Sequence, residues 1–231
     1  MDTRSAERRL RENPVVILPV GALESHGPHL PLGADQLQAE ATAEALAARV
    51  GGLVLPTLPF GVCPAARRFA GTVSLSMETL GAMTLEVLEE VARMGGRRVL
   101  LLSGHGEGRH MAALREAADT AVRRRPGLRV VVLCDYELVY ELRGREAPVT
   151  DGHAGLLETS RVMFLAPTLV GTERPVVVDR RPAFRVGDST AEEWPESVVG
   201  DTRGASAELG GRVHEHVLRR LEAIVGDLLA P

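Results

Sequence analysis

The run V-V-I-L-P-V-G-A-L-E-S-H-G, Val15 to Gly27, decides how the rest of the chain is read. Val15 to Val20 is continuously apolar and mostly β-branched, with no polar alternation. That is the pattern of a strand buried on both faces, as in a parallel sheet. The run then passes through a turn glycine into Glu24 and His26. In extended backbone, residues two apart point to the same side. A carboxylate and an imidazole therefore project together just past the carboxyl end of a buried strand, where parallel α/β sheets place their ligand crevices.

Working outward, strand and helix patterns alternate. Gln36 to Val50 is rich in Ala and Glu and reads as a helix stopped by Gly51-Gly52. Leu53 to Pro56 reads as a short strand, about Ser76 to Met94 as a helix, and Arg98 to Ser103 as a third strand. About Arg109 to Arg125 reads as a helix and Arg129 to Cys134 as a fourth strand. This rhythm predicts an α/β protein, a three-layer α/β/α sandwich with a mostly parallel central sheet. A helix is expected from near Ala154 to Leu165. Pro167 to Gly204 has no clear period and reads as loops with an edge hairpin. Leu209, Val213, Val217, Leu221, Ile224 and Leu228 fall at helical spacing in the tail. No repeat or linker divides the chain, so residues 1–231 are expected to form a single domain.

Composition removes several classes of function. The formal net charge is -4, with 45% hydrophobic and 25% charged residues, so no basic surplus calls for a nucleic acid. Arg8 to Arg11 and Arg123 to Arg125 are short and flanked by acids, and read as solvated faces. No apolar stretch approaches the roughly 18 residues of a membrane span. The N-terminal residues show no apolar secretory core. Cys63 and Cys134 need not be bridged, and a reduced, cytoplasmic protein is expected.

The third strand ends in S-G-H-G-E-G, so His105 and Glu107 repeat the same-side pair beyond a second strand. Asp35 lies close enough to His26 for the loop to fold it into the same crevice. Three clustered carboxylates repel one another, whereas a pair of divalent cations would compensate them. Mixed imidazole and carboxylate donors suit Zn²⁺, with Mn²⁺ or Fe²⁺ as alternatives at one site. A third cluster, T-D-G-H-A-G-L-L-E-T-S, holds His153 just ahead of a helix and Glu158 about one turn into it. His153 reads as an imidazole free to move protons. His29 reads as a packed loop residue, His110 as a surface or capping residue, and His214 and His216 as surface positions. The glycines around His105 frame no serine nucleophile, no phosphate loop and no dinucleotide fingerprint.

The sequence resembles the creatininase (creatinine amidohydrolase) family. The resemblance lies in P-V-G-A-L-E-S-H-G-P-H-L-P-L-G-A-D, F-A-G-T-V-S-L, S-G-H-G-E-G, D-G-H-A-G-L-L-E-T-S and V-V-G-D-T-R-G-A-S-A-E-L-G, in order from Pro19 to Gly210. It implies a binuclear metal centre that hydrolyses a C–N bond of a small amide, of cyclic amide or formamide type. Glu24, Asp35 and His105 would hold one metal. His26, Asp35 and Glu107 would hold the other, with Asp35 bridging. His153 would shuttle protons, and Glu158 would support the ligands or substitute for Glu107. A homo-oligomer, a hexamer in many members, is implied as well. Four departures bear on the substrate. Ala66 and Ala70 stand where members carry His and Pro, and Ser103 and Gly108 where many carry asparagines. Only Trp194 is available where the creatinine enzymes use several tryptophans near the site, which argues against creatinine itself. A metal-binding protein without turnover, and a binuclear phosphoesterase or lactonase using Arg67, Arg68 or Arg109, remain open alternatives.

Overall fold

The computed structural model describes residues 1–182, 184 and 191–229. Its sheet is built from β1 (Val15–Val20), β2 (Leu53–Val54), β3 (Arg98–Ser103) and β4 (Arg129–Cys134), in the order β2-β1-β3-β4 and parallel throughout. The crossovers are α2 (Ala34–Val50), α3 (Met77–Arg93) and α4 (Gly108–Arg124), as the alternation of patterns predicts. α3 and α4 pack together as one layer, and α2 packs with α6 (Leu156–Leu165) and α7 (Ala207–Leu229) as the other. The α/β class and the central parallel sheet agree with the sequence reading.

The central strands form the core because β1 is apolar throughout and β3 is apolar from 99 to 102. Ile17, Leu18, Leu100, Leu101 and Leu102 are all but inaccessible to solvent, each contributing about 1.5–3 kcal/mol by burial. Register then fixes the site. Val20 pairs with Ser103, and Ser103 with Cys134. Three strand ends are therefore flush, and the loops leaving them emerge side by side.

Helix ends follow local chemistry. The Ser76 hydroxyl caps α3 by accepting from Thr79 N, and Gly51 ends α2 in the left-handed region at φ 67°. Asp151 caps α6, its two oxygens taking the N–H groups of Leu156 and Leu157 at 2.6 and 3.1 Å. Three features depart from the sequence reading. A helix α1 (Thr3–Arg11) precedes β1, capped by Asp2; it buries no residue, so it shows no apolar period to read. A five-residue helix α5 (Asp135–Val139) follows β4 directly. The hairpin expected after Pro167 is one short antiparallel pair, β5 (Val176–Val177) with β6 (Gly200–Asp201), and part of that stretch lies outside the described residues. No described helix is long and apolar enough to cross a membrane.

Candidate metal centre

Glu24 and His26 leave the end of β1, His105 leaves the end of β3, and Asp35 sits in the first turn of α2. A Cβ on Gly104 would fall 2.1 Å from the Asp35 carbonyl oxygen. Only glycine allows the β3 loop and the start of α2 to approach so closely. Asp35 thus lies between the two histidines. Its Oδ1 is 3.0 Å from His26 Nε2 and its Oδ2 is 3.1 Å from His105 Nδ1. Glu24 Oε1 is 2.9 Å from His105 Nδ1, and Glu158 Oε1 is 3.4 Å from His26 Nε2. All five side chains are buried.

Each imidazole has its other nitrogen committed to a backbone carbonyl. His26 Nδ1–H donates to Glu24 O at 3.0 Å, and His105 Nε2–H donates to Val62 O at 3.1 Å. The nitrogens that face the carboxylates are therefore lone pairs when the rings are neutral. Lone pair would face lone pair unless a proton or a cation lies between them. Without a cation the protons must supply the compensation. Burial alone would depress the pKa of His26, but Asp35 and Glu158 outweigh it and raise it well above the ordinary value. His105 is raised in the same way, its burial outweighed by Glu24 and by bonding to Asp35. Burial would raise Asp35 and Glu158, yet the histidines hold both down to about 2. Asp35 Oδ2 has no well-aligned hydrogen bond despite its short distance to His105. Among the described residues no arginine pairs with Glu24, Asp35 or Glu158; the buried Arg161 pairs with Asp135 at 2.7 Å. A buried acidic set with inward lone pairs and an orphan oxygen fits divalent cations. Three groups bring potential ligand atoms within 4.8 Å of one another: Glu24, Cys63 and His105; Glu24, His26 and His153; and His26, Asp35 and Glu158.

Glu107 departs from its expected place. Its carboxylate caps α4, accepting from Arg109 N at 2.7 Å and His110 N at 3.0 Å. It still lines the cavity, but the acid set against His26 is Glu158. Sequence spacing sees Glu107 two residues from His105 and misses that it also sits one residue before a helix, where a free N-terminus competes for it. His153 donates Nε2–H to Ser25 O at 2.9 Å and turns Nδ1 toward Glu24 Oε1 at 3.8 Å.

The surroundings correct several single-residue readings. His110 is fully buried rather than exposed. It accepts from Val62 N at Nδ1 and donates from Nε2 to Ser103 Oγ, which in turn braces the His105 backbone. Burial and the nearby His105 push its pKa down to about 3, so it stays neutral. His214 is buried against Phe164. His29 is a packed loop residue, bonded to Thr159 Oγ1 at 2.9 Å. The cavity over the cluster has a volume of about 210 Å³, walled by Ala65, Tyr136, Tyr140, Arg181 and Trp194. Trp194 meets His153 edge-on at 5.4 Å, so the chain's one tryptophan is at the site after all. Its arrival from the unpatterned stretch between β5 and β6 left no periodic signal. Gln38 was missed too; its signal is the three-residue spacing from Asp35 on one helix face.

A flush-ended parallel sheet that gathers two imidazoles and three carboxylates beneath a small cavity defines an α/β protein with a candidate metal centre. The model of the family described as creatinine amidohydrolase matches residues 1–225, and the chain belongs to this creatininase family. It is 36% identical over 186 residues to creatinine amidohydrolase of Pseudomonas putida, covering 73% of this chain and 70% of that protein. It is 30% identical over 227 residues to the mycofactocin precursor peptide peptidase of Mycobacterium tuberculosis, covering 87% of this chain and 80% of the relative. A solved structure named Creatininase Mn superposes with a TM-score of 0.91 at 27% identity, over 100% of this chain and 97% of that one.

Proposed function

We propose that this chain is a hydrolase of small amides that works with two divalent cations held around Asp35. The observation that carries the reading is Asp35 itself, one oxygen toward each of two buried imidazole lone pairs. Glu24, Asp35 and His105 would hold one cation. His26 and Asp35 would hold the other, with Glu158 favoured over Glu107 by its place beside His26. Zn²⁺ suits this donor set, and Mn²⁺ or Fe²⁺ can replace it at one site; a similar structure carries manganese in its name. Two such cations supply the Lewis acidity that acidifies a water and polarises an amide carbonyl.

The protein's own groups then do the rest. His153, with Nε2–H held by Ser25, offers Nδ1 at the cavity floor to take a proton and return it to the leaving nitrogen. Trp194, Tyr136 and Tyr140 give flat walls suited to a planar amide and exclude water around it. A cyclic amide or formamide fits the cavity volume, and the peptidase relative adds a short peptide to the set worth assaying. A phosphoesterase would need cations in the pocket. Arg68 instead bonds the Trp194 carbonyl, Arg109 lies against the Met77 sulfur, and neither they nor Arg67 line the cavity; Arg181, which does, is paired with Asp179 at 2.6 Å. Assembly as a homo-oligomer, and action of residues 1–231 as one domain, belong to the same reading and rest on the family.

The test is metal analysis of the purified protein together with turnover of cyclic amides, formamides and short peptides. Two equivalents of divalent metal are expected, with turnover that stops on chelation and returns on reloading. A metal-free preparation that still turns over would overturn the reading.

A further inference from the structure

Beneath Glu158 lies a neutral network that the proposed chemistry does not use. Gln38, one turn into α2, is fully buried. Its Nε2 is 3.0 Å from Glu158 Oε1 and 3.2 Å from Ala34 O, and its Oε1 receives the Tyr136 hydroxyl at 2.7 Å. The sense of the amide is fixed by its neighbours. A carboxylate and a carbonyl can only accept, so the NH₂ end must face them. The carbonyl end then faces Tyr136, whose hydroxyl donates. A flipped amide would set oxygen against oxygen twice.

We propose that Gln38, locked by Tyr136, is a positioning residue that presents the Glu158 carboxylate to the His26 and Asp35 side of the centre. This inference rests on the binuclear reading above. Glu158 is pinned at both oxygens, Oε1 by Gln38 and Oε2 by Ala154 N at 2.7 Å. Neither partner carries charge. The carboxylate is thus oriented without being neutralised, and its negative charge stays available to a cation. A cation in Gln38's place would orient Glu158 equally well but would oppose metal binding. Arg161, the nearby buried cation, is turned away: its Nη2 serves Asp135 at 2.7 Å and Thr42 at 2.6 Å. Partners that orient metal ligands typically change affinity by about 10–100-fold when removed.

The experiment is a stepwise titration of the chelator-stripped protein with Zn²⁺, following both equivalents by calorimetry. Gln38→Leu should weaken one equivalent by about 10-fold or more and leave the other unchanged. Tyr136→Phe, which unlocks the amide but preserves its bulk, should cause a smaller loss in the same equivalent. Glu158→Gln should weaken that equivalent too, and Gln38→Leu added to it should cost nothing further, because Gln38 acts through Glu158. Should Gln38→Leu fail to fold, Tyr136→Phe and its pairing with Glu158→Gln carry the same comparison. Wild-type affinity in these variants, equal loss at both equivalents, or additive losses in the double variant would each overturn the inference while leaving the binuclear reading intact. A wild-type protein that takes up only one equivalent would overturn both, and the wild-type titration separates that case.

Discussion

Asp35 Oδ1 and His26 Nε2 meet at 3.0 Å with both side chains closed off from solvent. Because the far nitrogen of His26 is already a donor to Glu24 O, this contact needs a shared positive charge, whether proton or metal. Asp35→Asn keeps the shape and removes the anion. It should lower metal stoichiometry below two and reduce kcat/KM by ~100-fold or more, since a ligand should exceed the effect of an outer partner. Elemental analysis and steady-state kinetics on the same sample check both.

The two candidate acids are separable. Glu158→Gln should weaken the binding of one metal equivalent while leaving helix α4 untouched. Glu107→Gln should keep both equivalents and weaken the α4 cap, costing about 1 kcal/mol, or roughly 2–4 °C in Tm for a chain of this size. The reverse pattern in metal content would return Glu107 to the ligand set.

His153→Gln should lower kcat by about 10²–10⁴-fold, the usual contribution of a general acid or base. Metal content should stay at the wild-type level, because His26, His105 and the three acids are untouched. A large loss of metal would make His153 a ligand rather than a proton carrier.

Trp194 holds its place through Nε1–H to Val198 O at 3.0 Å and walls the cavity beside His153. Trp194→Phe should raise KM several-fold, corresponding to about 1 kcal/mol of lost contact, with a much smaller change in kcat. An unchanged KM for every accepted amide would remove Trp194 from substrate contact.

Away from the site, burial and then Arg161 push the pKa of His214 down from 6.5 to about 4. The unfolded chain therefore binds more protons than the folded one between those values, and stability falls as pH drops through that range. Above about 6.5 His214 is neutral in both states and contributes no pH dependence. Comparing Tm of the wild type and His214→Leu should show the wild type losing ground as pH drops from about 6.5 to about 4. A constant difference across that range would contradict the buried placement.

The sheet was legible because β1 is apolar throughout and β3 from 99 to 102, without the polar alternation of a half-exposed strand. The same strands announced Glu24, His26 and His105, since a same-side pair after a buried strand has one direction to point. Asp35 came from loop length and the family likeness together. Glu107 shows where spacing stops being enough: its position suits a ligand and a helix cap equally, and its Oε2 caps α4 while the side chain still lines the cavity. His110 and His214 were read as surface positions because a lone polar residue gives no sign of the partner that lets it be buried. In the first case that partner is Ser103, and in the second the aromatic face of Phe164. Helix α1, with no buried face, had no period to detect.

The cavity draws its floor and its walls from different parts of the chain. The acids and imidazoles come from the ends of β1 and β3 and from α2 and α6, whereas Arg181 and Trp194 come from the stretch between β5 and β6. Among the described residues that stretch lies outside the parallel sheet and adds no carboxylate or imidazole to the group around Asp35. Its cavity-facing side chains, Arg181 and Trp194, can therefore vary without replacing any of that group, whereas Ser197 and Val199 are tied to it through Ser25 O and His153 O. Substitution at Arg181 and Trp194 is accordingly the place to look for new specificities, by saturation libraries in the laboratory or by drift in nature.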